Sequence, residues 1–448
     1  MTDPVVVVGG GITGLAAAHE LSQSGVEFVL LEDTPRVGGK IDGGPVGSLE
    51  IDSAADGFLA RQPEMAELCI EIGLGDDLVR PSGRRAFIWA NGALRTIPAP
   101  SVLGVPLNAD AVAKSGIVSD AGMVALRRGL QSNHPPLLDD ASVGEVFRPI
   151  VGDEAFERLV DPLLGGINAG SADEMSIAAS APKLAEAAKL GGDVRANLAS
   201  QFGESAKTPG PVFLGVKGGT TRIIKRLSER LDAQIHTGCP AESIEPLGGG
   251  WRVKTTDGAL VGSKLILATP APAAARLVSP WSPAAASILD DISYSSAVLV
   301  TFVTDRSNIA HSLDGSGFLV PRDQGMLMTA CSWSSSKWNH YDDGSHAVVR
   351  VSAGRSDDRR WLDLDQSELV TTLSEELAAT IGFDGEAEIR VTPWKDALPQ
   401  YAPSHLARAD EIDSLLGVDA PGVTVTGAAM RGLGLPACVR QGRAAARG

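Results

Sequence analysis

A glycine-rich turn between a buried strand and a helix constrains this chain more than any other feature. Val5–Val8 is an all-apolar, β-branched run that predicts a strand buried on both faces. After the turn come a helix that ends near Gly25 and a second strand over Val26–Leu31, which ends in Glu32. The turn itself reads Gly9-Gly10-Gly11-Ile12-Thr13-Gly14. This order predicts a βαβ unit that binds a dinucleotide, because the glycines let the backbone and the helix N-terminus approach a pyrophosphate. The alternative is an ordinary glycine-rich turn beside a solvated Glu32.

The acidic residue at the end of the second strand narrows the choice of dinucleotide. The Glu32 carboxylate can accept hydrogen bonds from ribose hydroxyls, and it would repel a 2′-phosphate, which leaves NAD or FAD. We group the neighbouring Asp33 with it. Gly38-Gly39-Lys40 follows soon after and resembles the flavoprotein pattern in which FAD lies extended along the protein. Read alone, this second glycine pair could also be a surface loop.

Composition excludes some classes of function. The 448 residues include 39 Lys and Arg against 55 Asp and Glu, a formal charge of −16, which argues against a nucleic-acid partner. No cysteine lies in a C-x-x-C pattern or at ligand spacing from a histidine, so we expect neither disulfides nor a metal site. We expect a cytoplasmic setting, since no signal peptide and no apolar run of membrane-spanning length is evident. Attachment to a membrane surface stays open.

The pattern beyond the first unit changes twice. Phe87–Trp89 before Asn91-Gly92 predicts a hairpin, after which residues 101–198 read as helical. In that stretch Ser142 and Glu145 form a capping-box pattern. An α/β pattern returns after about residue 211. Within the helical stretch we predict helices over Asp153–Val160 and Ala178–Ala188. In the later α/β region we predict a helix over Gln366–Ile381. The strands predicted there are Trp251–Thr255, Leu265–Ala268, Tyr294–Val303, Ala347–Ser352 and Val423–Thr426.

A second glycine-rich turn lies near the C-terminus, from Gly427 to Pro436, and the last helix should follow it. The positive end of that helix dipole could face the part of a flavin that becomes negative on reduction. An equally open interpretation is a helix that only caps the sheet.

Five segments together resemble the FAD-dependent protoporphyrinogen/coproporphyrinogen III oxidases, within the monoamine-oxidase-like flavoproteins, and most of all their bacterial coproporphyrinogen III oxidase branch. They span nearly the whole length in the order typical of the family. The segments are the N-terminal glycine turn with Glu32 and Arg36–Lys40; Asp161–Gly170 followed by Met175-Ser176 and Ala181-Pro182; Phe213–Gly219; Val391–Tyr401 with Trp394 and then His405; and the closing Gly432–Val439.

Two positions depart from the family pattern. Ala54 and Ala55 stand where a Gly-Pro pair close to the flavin is usual, which puts the local backbone path in doubt. Ala437 stands where an Asp is common. Neither change removes a group that performs covalent chemistry, because the flavin carries the reaction.

The resemblance implies an α/β (α+β overall) fold, with a Rossmann-like FAD-binding domain, an inserted mixed-sheet substrate domain and a helical lobe. We assign the FAD-binding domain to residues 1–60, 210–290 and 405–448. The substrate domain takes 61–98 and 291–404, and the helical, membrane-associating-like lobe takes 99–209.

The resemblance also implies a set of site residues. Asp56 is a tentative catalytic residue that could order pyrrole N–H groups or accept a proton, or be only a turn residue. Ile167, Asn168 and Gly170 would line the substrate cavity, and Arg85, from a group with Arg80, Arg84 and Arg95, would pair with propionates. The implied FAD contacts are Gly9, Gly10, Gly11, Ile12, Thr13, Gly14, Glu32, Asp33, Lys40, Ala54, Ala55, Asp56, Gly57, Ala241, Trp394, Leu433, Gly434 and Leu435.

The activity implied by the resemblance is oxidation of coproporphyrinogen III to coproporphyrin III in heme biosynthesis, with FAD as hydride acceptor, molecular oxygen as final acceptor and hydrogen peroxide as by-product. Protoporphyrinogen IX is the alternative substrate. A flavin amine oxidase or desaturase, or a non-catalytic FAD protein, are further alternatives. Peripheral contact with the inner face of the membrane and transient hand-over of product to a chelatase also stay open.

Overall fold

The computed structural model describes residues 3–83, 85–206 and 210–448. A parallel five-stranded sheet, which we call the central sheet, holds the predicted βαβ unit. Val5–Val8 pairs with a parallel strand on each side, which explains why all four valines are buried. The second strand begins at Phe28 rather than Val26, because Val26 and Glu27 lie exposed in the turn after the first helix. In spatial order the strands are Ile235–His236, Phe28–Leu31, Val5–Val8, Lys264–Leu267 and Val423–Val425.

Helices pack on both faces of the central sheet. The first and the last lie so close that a side chain at Gly442 would overlap the Thr13 carbonyl. The helix Glu64–Glu71 buries Met65 and Leu68 in the same core, so this helix packs with the central sheet, although we assigned residues 61–98 to the substrate domain. The helices are Ile12–Gln23, Glu64–Glu71, Thr221–Leu231, Ala271–Val278, Pro283–Asp290, His405–Asp419 and Leu435–Arg447.

A seven-stranded, mainly antiparallel sheet, the large sheet, forms the second layer of the molecule. One of its faces packs on the helix Gln366–Ile381, which has the predicted bounds, begins with a capping box at Asp365 and Glu368, and ends at Gly382. In spatial order the strands are Glu388–Pro399, Tyr294–Asp305, His346–Ala353, Met328–Trp333, Gly317–Leu319, Phe87–Ala90 and Ala93–Thr96.

The helical lobe confirms the capping box of Ser142 and Glu145. The predicted helix over 153–160 is instead a short α-helical turn followed by a π-helix. The helix predicted over 178–188 is divided in two, because Pro182 disfavours helical backbone at the preceding residue. The lobe contains Ala109–Ser115, Asp120–Leu130, Val143–Val151, Asp153–Ala155, Phe156–Val160, Asp161–Asn168, Ile177–Ser180, Pro182–Leu190 and Val194–Ala206.

Short elements connect these layers. A three-stranded antiparallel sheet lies in the chain between the strands Ile235–His236 and Lys264–Leu267. It contains the predicted strand Trp251–Thr255. In the described parts of the chain, no helix is both long and apolar enough to cross a bilayer. The remaining strands are Gly43–Val46, Leu49–Asp52, Phe58–Leu59, Leu78–Val79, Ser101–Val102, Val105–Pro106, Phe213–Val216, Ala241–Leu247, Gly250–Thr255 and Gly258–Gly262, and one further short helix is Ser334–Lys337.

Candidate cofactor and substrate site

The N-terminal glycine turn has the geometry of a phosphate-binding loop. A side chain at Gly9, whose φ is 104°, would come within 2.7 Å of the Ala268 carbonyl, and one at Gly14 would overlap the Gly9 carbonyl. At Gly11 a side chain would meet nothing within 4 Å, so this glycine faces open space. The helix begins directly at Ile12 and has no acidic residue in its first turn, which leaves its N–H groups available to an anion.

Glu32 lies at the end of the neighbouring strand and is only 8% exposed. One oxygen, Oε2, accepts from the Gly10 N–H at 2.7 Å, and Oε1 accepts from the Thr34 N–H at 3.0 Å and its hydroxyl at 2.6 Å. Burial opposes ionisation, but these hydrogen bonds outweigh it and lower the pKa of Glu32. The adjacent Asp33 has a raised pKa, chiefly because its carboxyl group shares a hydrogen bond with Glu32.

The second glycine pair is fastened to the first turn. The Gly38 N–H donates to the Gly10 carbonyl at 2.8 Å, and Gly39, with φ of 55°, adopts a backbone conformation that favours glycine. Lys40 follows with an exposed side chain, and desolvation by the surrounding protein lowers its pKa. Ala241 is buried close by, since the Cys239 N–H donates to the Glu32 carbonyl at 2.9 Å.

The segment from Ser53 to Asp56 is held by side chains from three other elements. Trp394 Nε1 donates to the Ser53 carbonyl at 2.9 Å, Arg350 Nη2 donates to the Ala54 carbonyl, and Thr220 Oγ1 lies 3.0 Å from the Ala55 carbonyl. Ala55 itself is exposed. The two alanines that depart from the family pattern therefore lie in a segment in which the carbonyl groups of Ser53, Ala54 and Ala55 are occupied.

Asp56 is surrounded by donors. Lys337 Nζ lies 2.9 Å from Oδ1, and Trp338 Nε1 and Arg350 Nη1 each lie 3.0 Å from Oδ2. Burial opposes ionisation, yet the two cations outweigh it and hold the pKa of Asp56 well below its ordinary range. A carboxylate with such a low pKa is a poor proton acceptor near neutral pH, so the geometry argues against the proton-accepting role that we predicted.

On the face opposite the helix Gln366–Ile381, the large sheet has a row of partly accessible side chains. Leu299, Ser352, Ala330 and Leu319 are cross-strand neighbours in one row, which we call the cavity row. All four are half-buried, whereas Val351 and the other residues that alternate with them are buried in the core. Because side chains alternate between the faces of a sheet, the cavity row marks a partly accessible surface on the face opposite the helix Gln366–Ile381.

The helical lobe lies close to this surface. A side chain at Gly166 would approach Leu319 to 3.4 Å, and the neighbouring Ile167 is 54% exposed. Asn168 and Gly170 are buried in the turn after the helix: the Asn168 carbonyl accepts from Gln400 at 2.9 Å, and the amide of Asn168 donates to the Leu164 carbonyl at 2.8 Å. Of the three predicted cavity residues, Ile167 is the accessible one, and the other two shape the turn.

The described members of the predicted arginine group lie in different surroundings. Arg85 is exposed and pairs with Asp314 on the surface, and Arg80 is exposed as well. Arg95 is half-buried beside Gly116 of the helical lobe, and Arg84 lies outside the described residues.

The C-terminal glycine-rich turn is held by a pair of stacked rings. The Tyr401 hydroxyl donates to the Ala428 carbonyl and accepts from the Gly432 N–H at 3.2 Å. The His405 ring lies 4.1 Å from the Tyr401 ring, centre to centre, and its Nε2 donates to the Met430 carbonyl at 2.8 Å. Leu433 and Gly434 then lead into the last helix, which begins at Leu435. That helix has no acidic residue in its first turn, so nothing on it neutralises the positive end of its dipole.

We expect a pH dependence of stability from His405. It is buried, and burial lowers its pKa, although the hydrogen bond to Met430 opposes this effect. The unfolded chain binds a proton near the ordinary pKa of about 6.5, and the folded chain binds it only at lower pH. The free energy of unfolding should therefore decrease as the pH falls below about 6.5. His405→Gln keeps a donor for Met430 and should reduce that slope by up to about 1.4 kcal/mol per pH unit.

Denaturant unfolding across pH 5–8 measures the slope. The exposed His236, replaced by Gln in the same way, is the control and should leave the slope unchanged. Burial also lowers the pKa of His19 and His340, so some slope should remain in the His405 variant. An unaltered slope in that variant would contradict the assignment to His405.

Comparison with known proteins identifies the family. Residues 12–448 match the family described as flavin containing amine oxidoreductase. The chain belongs to this family. Its glycine turn, open at Gly11, and the buried Glu32 fit the FAD of the family, and the cofactor is FAD.

Members with near full-length similarity include two bacterial proteins named coproporphyrinogen III oxidase. The Bacillus subtilis protein is 29% identical, covering 98% of this chain and 96% of its own length. The Mycobacterium leprae protein is 33% identical, covering 97% of this chain and 95% of its own. A solved structure from Exiguobacterium, named for protoporphyrinogen oxidation, is 29% identical and has a TM-score of 0.88 over 100% of this chain and 98% of its own. The predicted fold class is thereby confirmed.

Sequence reasoning missed Lys337, Trp338 and Arg350 around Asp56. One signal was present: Arg350 is a charged residue inside the apolar run of the strand His346–Ala353. Such a residue in a buried strand must have a charged or polar partner, but the sequence does not say which.

Proposed function

We propose that the protein oxidises coproporphyrinogen III to coproporphyrin III in heme biosynthesis. The observation that carries the proposal is the near full-length similarity to relatives that bear this name. When bound, FAD would supply the hydride acceptor for three two-electron oxidations, with molecular oxygen as the final acceptor and hydrogen peroxide as the by-product. Aromatisation of the macrocycle drives the reaction, so the protein does not need a strong general base.

The chain's own residues then have two tasks, to hold FAD and to place the substrate. We propose that Gly9 to Gly14, Glu32, Asp33, Lys40, Ala54 to Gly57, Ala241, Trp394 and Leu433 to Leu435 contact FAD. Ten of these positions surround the glycine turn and the Glu32 strand end, where N–H groups and a carboxylate are presented to the pyrophosphate and the ribose.

The substrate would lie on the cavity row. Leucine, alanine and serine side chains make this surface flat and mostly apolar, which suits a large macrocycle better than a small amine. Ile167 is exposed and follows Gly166, which lies close to Leu319, so it would cover the substrate from the side of the helical lobe. In this arrangement Asp56 acts as an ionised, fixed group that orders pyrrole N–H groups or the cations around it.

Protoporphyrinogen IX is the second candidate substrate, supported by the name of the Exiguobacterium structure. The two substrates differ in charge, because coproporphyrinogen III carries four propionates and protoporphyrinogen IX carries two. Arg85 was our predicted propionate partner, and its existing pair with Asp314 weakens that assignment.

The test is a direct comparison of the two substrates. Purified holoprotein is mixed under air with each porphyrinogen in turn, and porphyrin fluorescence and hydrogen peroxide are followed. We expect higher kcat/KM with coproporphyrinogen III. A higher kcat/KM with protoporphyrinogen IX would make that molecule the assigned substrate. Formation of no porphyrin from either molecule would refute the proposed reaction.

Two interactions of the helical lobe complete the proposal. Leu138 and Leu190 are exposed on it, which supports a peripheral contact with the inner face of the membrane for an otherwise cytoplasmic protein. The product is a ligand for metal ions, so a transient encounter with a chelatase would follow release. Vesicle flotation and cross-linking test these contacts.

A further inference from the structure

Three successive peptide carbonyls, those of Ser53, Ala54 and Ala55, each accept a hydrogen bond from a side chain of a different part of the chain. Trp394 and Arg350 reach them from two strands of the large sheet, and Thr220 from the start of a helix on the central sheet. We call this arrangement the carbonyl clamp. Loop carbonyls ordinarily face water, and three consecutive ones bound by side chains mark a backbone that is fixed from outside.

The clamped residues do little to fix themselves. Ala54 and Ala55 have only a methyl group each, and neither has the ring that makes proline rigid. Within the described residues, the N–H groups of Ala54, Ala55 and Asp56 donate to no protein acceptor. Ala55 is exposed, so this part of the segment is accessible from outside the protein.

Arg350 is the central member of the clamp. Its side chain is 4% exposed, and one guanidinium binds both the Ala54 carbonyl and the Asp56 carboxylate. It also lies two residues from Ser352 on the same strand, and therefore on the face that carries the cavity row. A lysine would keep the charge but lacks the planar fork with which two separate guanidinium nitrogens contact the two acceptors.

Thr220 connects the clamp to the central sheet. Its N–H donates to both oxygens of the buried Asp52, at 2.9 and 3.0 Å. Its hydroxyl lies 3.0 Å from Asp52 Oδ1 and also 3.0 Å from the Ala55 carbonyl, so one hydrogen is shared between these acceptors. The clamp thus joins the two sheets through the segment between them.

We propose that Arg350, Thr220 and Trp394 are positioning residues that fix the Ser53–Asp56 peptide against the ring system of FAD. The proposal deepens the proposed function and rests on its assignment of this segment to the cofactor site. The clamp sets where the flavin ring lies relative to the cavity row, so its loss changes kcat more than KM. Loss of the clamp also changes the flavin reduction potential, because the peptide dipoles and the charged groups around Asp56 shift when the clamp is lost.

The first experiment removes one hydrogen bond without changing charge. In the holoprotein, where FAD would cover the N–H groups of residues 54–56, Thr220→Val should raise hydrogen exchange at these residues by about fivefold, because one hydrogen bond contributes about 1 kcal/mol. It should lower kcat with little change in KM and shift the flavin potential. Thr220→Ser keeps the hydroxyl and should restore all three properties.

The second experiment separates position from charge at Arg350. Arg350→Met and Arg350→Lys should both raise exchange at residues 54–56, whereas a role through charge alone would let lysine restore the wild-type values. Arg355→Met is the matched control, since Arg355 is also a buried arginine that donates to a backbone carbonyl, that of Val320 at 2.8 Å. It should leave exchange at 54–56 and the flavin potential unchanged.

A third variant distinguishes failure of the clamp from failure of the site assignment. Ala55→Asp adds a negative charge at an exposed position of the segment and should weaken FAD binding and lower the reduction potential. If FAD affinity and potential stay at wild-type values, the segment does not meet FAD, and both the assignment and the clamp are overturned. If Ala55→Asp has its effect but Thr220→Val and Arg350→Met alter neither exchange nor potential, only the clamp is overturned.

Discussion

The Glu32→Lys variant is expected to purify folded but without FAD. The wild-type carboxylate accepts from Gly10 and Thr34 and is the proposed partner of the adenosine ribose. Lysine cannot accept these hydrogen bonds, so the Gly10 N–H loses its partner and the glycine turn loses its anchor. Hydrogen bonds to charged groups contribute roughly 1.5–3 kcal/mol each, so FAD affinity should fall by at least about 100-fold.

Flavin absorbance of the purified protein and titration with FAD measure the effect. Glu27→Lys makes the same change of charge at an exposed residue just before the same strand, and should retain the cofactor. Glu32→Gln keeps one acceptor oxygen and should lie between the two. Full flavin content in Glu32→Lys would refute the role of Glu32 in cofactor binding.

The second large effect is expected at Ala330, in the middle of the cavity row. Its methyl group lies between Leu319 and Ser352, so a tryptophan there would fill the space in which we place the macrocycle. Ala330→Trp should bind FAD normally and lose at least about 100-fold in kcat/KM, since misplacement of a substrate by about 1 Å already has this effect.

Two controls accompany this variant. Val418→Trp places the same ring at a position that is 81% exposed, and should keep wild-type activity and FAD content. Ala330→Ser adds one oxygen to the row and should have a small effect on turnover. Turnover of Ala330→Trp within a few-fold of wild type would place the substrate elsewhere.

The sequence predicted those features that depend on short-range chemistry. The glycine turn, the strand Val5–Val8, the capping box at Ser142 and the helix Gln366–Ile381 each follow from residues within about four positions of one another. The division at Pro182 was missed although its cause is local, because the apolar period continues through it.

The surroundings of Asp56 could not be predicted in this way. Lys337 and Trp338 meet it across 281 and 282 positions of sequence, and that contact depends on the register of the large sheet. The position of the helix Glu64–Glu71 is similar: its apolar residues show that it is buried, but not against which sheet. The partner of Arg85 could not be predicted for the same reason, because Asp314 is also distant from it in sequence.

The order of strands in the central sheet has a consequence for biosynthesis. The strand Val423–Val425, and the helix Leu435–Arg447 that packs on Ile12–Gln23, are translated after the other four strands of this sheet. In a nascent chain that already contains the glycine turn, Lys264–Leu267 thus lacks its second partner strand until residues 423–425 have left the ribosome. Until then, that unpaired edge is where chaperones or aggregation would act.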